Sequence, residues 1–101
     1  DVVDMIVAGC KNSRVRNLDL PNSGITPKGL AQPQMIARLE TLSLIGTNIG
    51  SESVEFLKGA VSLFSLNITK TKFTEADAKE LAKALPHCKI IHESGVYEPY
   101  Y

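Results

Sequence analysis

One spacing constrains this chain more than any other feature: written in rows of 24, its apolar residues fall into columns. The segments VRNLDLPNSGIT from Val15, LETLSLIGTNIG from Leu39 and LFSLNITKTKFT from Leu63 align without gaps. Val15, Leu39 and Leu63 make the first column, and Leu18, Leu42 and Leu66 the second. Leu20, Leu44 and Ile68 make the third, and Ile25, Ile49 and Phe73 the last. Between them runs a hydroxyl column of Ser23, Thr47 and Thr71. Such agreement makes the repeat the first condition any fold must meet. Within each unit the paired leucines alternate with an outward residue, which predicts a short strand pointing both leucines inward.

The second half of each unit predicts a helix. Thr26 and Thr74 are good N-caps, because a hydroxyl accepts from an orphan N–H of the first turn. Pro27 falls at the first helical position, where its missing N–H costs nothing. Thr74 with Asp77 resembles a capping box, with Asp in place of the usual Glu or Gln. Ala76, Leu81, Ala84 and Leu85 give an apolar stripe at helical spacing. Pro33 stands where Leu57 and Leu81 stand in later units, which predicts a short or bent first helix. A weaker fourth copy starts near His87, with Ile90 and His92 in the slots of Leu66 and Ile68. His92 in a leucine slot predicts that the array ends there. Counting back, Ile6 takes the slot of Leu30, Val54 and Ala78, so residues 2–10 read as the second half of a unit whose strand is absent.

The pattern L-x-x-L-x-L-x-x-(N/T/C)-x-L resembles the leucine-rich-repeat family over nearly the whole chain apart from its tail. The helical second halves resemble the ribonuclease-inhibitor and cysteine-containing subtypes, and the short bacterial tandem repeats. The resemblance implies an α/β fold: a right-handed solenoid in a horseshoe arc, with about four short parallel strands on its concave face and helices on the convex one. Residues 1–101 then form one domain. Residues 2–14 are a partial first repeat or N-terminal cap helix; 15–38, 39–62 and 63–86 are full repeats; 87–101 are a terminal strand with a cap or tail. In such a fold Ser23, Thr47 and Thr71 take the place of the family's asparagine ladder, bonding backbone groups that the turn strands inside the coil.

The resemblance also implies a non-catalytic protein–protein interaction scaffold that uses the concave face. By register that face carries Asn17, Asp19 and Pro21, then Thr41, Ser43 and Ile45, then Ser65, Asn67 and Thr69, then Lys89, Ile91 and Glu93. The binding expectation rests on these positions, with the partner an unspecified protein; a plain solvated sheet face is the competing reading. Two other functions stay open. The repeats could be a structural or regulatory end of a larger protein, or they could self-associate through the edge strand Val15–Leu20, whose backbone groups lack a preceding strand.

Composition narrows the classes further. Acidic and basic residues balance at 11 each, so no net field steers nucleic acid or an anionic membrane. Cys10 and Cys88 lie far apart without a CxxC, giving neither a zinc pattern nor a disulfide framework. No apolar run reaches the roughly 18 residues of a membrane span. The opening DVVDMIVAGCKN is not a signal peptide; its start at Asp1 reads as a processed or truncated piece, and the cytoplasm is the default compartment. Catalysis finds little support, and no cofactor or metal is expected. Cys88 and His92, four residues apart on a strand, stand about 13 Å apart, too far for a nucleophile and its base. His87, Cys88 and His92 fail as a metal site for the same reason. Asn67-Ile68-Thr69 matches a glycosylation sequon, a common triplet. Lys11, Arg14 and Arg16, and likewise Lys70 and Lys72, read as solvated turns. The tail GVYEPYY reads as a tyrosine cap over the last repeat, or alternatively as an exposed docking peptide.

Overall fold

A computed structural model describes residues 16–22, 24–26 and 36–99. The expectations on residues 2–14, Val15, Ser23, Pro27, Leu30, Pro33, Tyr100 and Tyr101 lie outside the described residues. Five short strands form one sheet in the order β1-β2-β3-β4-β5. They are β1 (Asn17–Asp19), β2 (Thr41–Ser43), β3 (Ser65–Asn67), β4 (Lys89–His92) and β5 (Gly95–Tyr97). The first four are parallel, and their register is the sequence repeat itself: Leu18 pairs with Leu42, Leu42 with Leu66 and Leu66 with Ile90.

The backbone bonds repeat with the same offset. Leu20 N–H donates to the Ser43 carbonyl, Leu44 to Asn67 and Ile68 to Ile91, at 2.8–2.9 Å. At the next bonding position, Asn22 donates to Ile45 and Gly46 to Thr69. In the third unit the Lys70 N–H finds the Glu93 side-chain carboxylate instead. A side chain thus substitutes for a carbonyl where the repeat runs out.

The columns form the core. Leu39 and Leu63, Leu42, Leu66 and Ile90, Leu44 and Ile68, and Ile25, Ile49 and Phe73 are all buried in one cluster, with Leu18 and Leu20 packed at its margin. The returning segments lie against this face. After Ile49 the chain makes a 3-10 turn over Ser51–Ser53 and then α1 (Val54–Leu57). After Phe73 it makes α2 (Glu75–Ala84), which packs on β4 and α1. On α2 the buried stripe is Ala78 and Leu81, continued by Leu85. The expected stripe is therefore shifted, because Ala76 and Ala84 are exposed.

The helix start at Thr74 is a full capping box: Asp77 N–H donates to Thr74 Oγ1 at 3.1 Å, and Thr74 N–H donates to the Asp77 carboxylate at 2.9 Å. Burial pushes the Asp77 carboxyl up, but hydrogen bonds from the Ser51 hydroxyl and from Thr74 outweigh it and hold the carboxyl below its ordinary value. A carboxylate depressed on folding stabilises fully above its unfolded pKa, and the gain is lost as pH falls through the lower folded value. The stability gap between the native chain and Asp77→Asn should therefore narrow in acid, as followed by thermal melts from neutral pH to about pH 3.

Three turns share one backbone device. Asn22, Gly46 and Lys70, spaced by 24, have φ of 54°, 73° and 56°. Asn and Gly tolerate this left-handed region, whereas Lys takes it at a cost of about 1–2 kcal/mol. Lys70→Asn is expected to raise stability by about 0.5–1 kcal/mol in urea unfolding, since it relieves part of that cost.

One expectation needs correction. The sheet is mixed, with five strands rather than about four parallel ones, because β5 pairs antiparallel with β4 through Ile90–Tyr97 and His92–Gly95. The physical reason is the far edge of β4, whose backbone groups are met by the chain's own reversal at Glu93–Ser94. Gly95, at φ 145°, adopts a conformation that side chains rarely take. The tail through Tyr97 is thus an added edge strand, with Tyr97 packed against the core cluster. The helical part of the second unit is a 3-10 turn plus a four-residue helix.

Candidate functional site

Strand alternation sorts the two sides of the sheet. Leu42, Leu66 and Ile90 point into the core, and Thr41, Ser43, Ser65, Asn67, Lys89 and Ile91 are half-buried on the opposite, open face. There Asn17, Asp19, Pro21, Thr41, Ser43, Ile45, Ser65, Asn67 and Ile91 line a shallow groove of about 530 Å³, rimmed by Leu18 and Leu42. These lining residues are among those that the 24-residue register, within the fold implied by the resemblance, assigned to one face. Of the other positions expected there, Thr69 and Lys89 do not line the groove, and Glu93 is engaged with the Lys70 N–H.

Hydrogen bonds fix the groove's polarity. Thr41 Oγ1 donates to Asn17 Oδ1 at 2.6 Å, joining β1 and β2. Asn67 Oδ1 accepts from the Thr69 N–H at 3.1 Å and from its hydroxyl at 2.9 Å. A backbone N–H can only donate, so this contact orients the Asn67 amide and leaves its nitrogen without a partner among the described residues. The Ser43 hydroxyl oxygen is buried and has no partner among the described residues. The groove thus sets the Asn67 amide among apolar side chains at Pro21, Ile45 and Ile91, with the Ser43 hydroxyl buried beneath.

The hydroxyl column lies behind the turn. Thr47 is 2% exposed, and its hydroxyl donates to the Leu44 carbonyl at 2.8 Å. Thr71, half-buried, donates likewise to Ile68 at 2.6 Å and accepts from the Phe73 N–H at 3.2 Å. Both bonds stay within one unit. Ser23, the third position of the column, lies outside the described residues.

At the array's end His92 is buried and bonded at both nitrogens. Ser94 N–H donates to Nδ1 at 3.1 Å, so Nδ1 is the acceptor and Nε2 carries the proton. Nε2 then donates to the Phe73 carbonyl at 2.8 Å, linking the last strand to the start of α2. The Ser94 hydroxyl continues the chain to Tyr97 at 2.9 Å. The hydrogen bonds of this network were invisible in sequence, where His92 registered only as a broken leucine column and Tyr97 only as part of a tyrosine-rich tail read as a cap or a docking peptide.

Cys88 is buried, and burial pushes its thiol up to about 12. The nucleophile in cysteine chemistry is the thiolate, which such a group hardly forms near neutral pH. Among the described residues no three of His, Cys, Asp and Glu gather as metal ligands, and no helix is long and apolar enough to cross a membrane. A second depression, of about 270 Å³, lies between Val61, Leu63, Ala84, Leu85, Pro86 and His87. Val61 there and nearby Phe64 in sequence are 74% and 54% exposed. Neither was singled out by the repeat.

No protein-family model, curated protein or solved structure matches the chain.

Proposed function

We propose that the chain is a leucine-rich-repeat-like solenoid segment that acts as a non-catalytic protein-binding scaffold through the open face of its sheet. The observation that carries this reading is the identity between sequence period and strand register. A 24-residue unit that pairs Leu18, Leu42, Leu66 and Ile90 in line cannot bury its own apolar face and does so by stacking on its neighbours. Stacking frees the opposite face of the same strands to vary. The residues it presents are mostly small and polar, with Pro21, Ile45 and Ile91 among them, and gathered in one groove, a surface suited to contacting a partner rather than to moving protons or electrons. The raised thiol of Cys88 supports the same view.

The test is a pull-down from the source cell with the native chain and with Asn17→Asp/Ser43→Asp/Asn67→Asp. Three added charges across the groove should abolish capture of any partner held there, with circular dichroism confirming the fold. Undiminished capture by the triple variant would remove the open face as the binding surface.

A further inference from the structure

We draw no further inference here: the strongest candidate, the apolar patch on the open face where Val96 of β5, 50% exposed, pairs with Ile91 of β4, carries nothing because nothing in the structure shows what covers it.

Discussion

Leu66→Ala is expected to destabilise the chain by about 2–5 kcal/mol, the range for emptying a fully buried leucine site. Leu66 is 0% exposed, in the central strand, between Leu42 on one side and Ile90 on the other. Both neighbours belong to the same column, so the void opens between units and neither flanking strand can close it without leaving its own register. A loss of that size is a large share of the stability of a typical domain. Leu18→Ala should cost markedly less, because Leu18 is only half-buried on the edge strand. Urea unfolding of the two variants side by side gives the comparison. Equal losses at both sites would argue that the units do not stack through this column.

His92→Ala should cost about 2–4 kcal/mol, combining a vacated buried site with the Phe73 carbonyl and the Ser94 N–H left without their partner. The expected damage is local as well as global. Ser94 and Tyr97 are tied to the ring through one hydrogen-bond chain, so the β4–β5 hairpin should loosen first. Amide hydrogen exchange at Val96 and Tyr97 would rise in this variant while the amides of Leu44 and Ile68 keep most of their protection. His92→Leu separates the two parts of the effect, since it refills the apolar column yet still forfeits both hydrogen bonds. Its stability should fall between the native chain and the alanine variant.

Much of this was legible in the sequence because the repeat is a geometric statement. A period of 24 that returns leucines to the same slot fixes which residues pair, which point inward and which share the open face. The groove's lining followed from that register together with the fold that the resemblance implied. What stayed hidden depended on single contacts rather than on period. The left-handed turn column of Asn22, Gly46 and Lys70 was obscured by Lys70, whose type does not advertise a positive φ. The reversal into β5 has no Asn-Gly or Asp-Gly signature at Glu93–Ser94, and its stability comes from His92 and from the unpaired edge of β4. The stripe on α2 was read one face away at Ala76 and Ala84 because alanine fits a buried or an exposed helix position equally well. The short α1 reflects tertiary packing, which decides where a weak helix ends.

The most direct test of the account measures the register bond by bond. Scalar couplings across hydrogen bonds in the ¹⁵N,¹³C-labelled chain should connect the Leu20 amide to the Ser43 carbonyl, Leu44 to Asn67, and Ile68 to Ile91. Those correlations, each between the same positions of successive units, are the predicted result. Couplings to carbonyls two residues away, or none between these strands, would contradict a fold built on the 24-residue repeat.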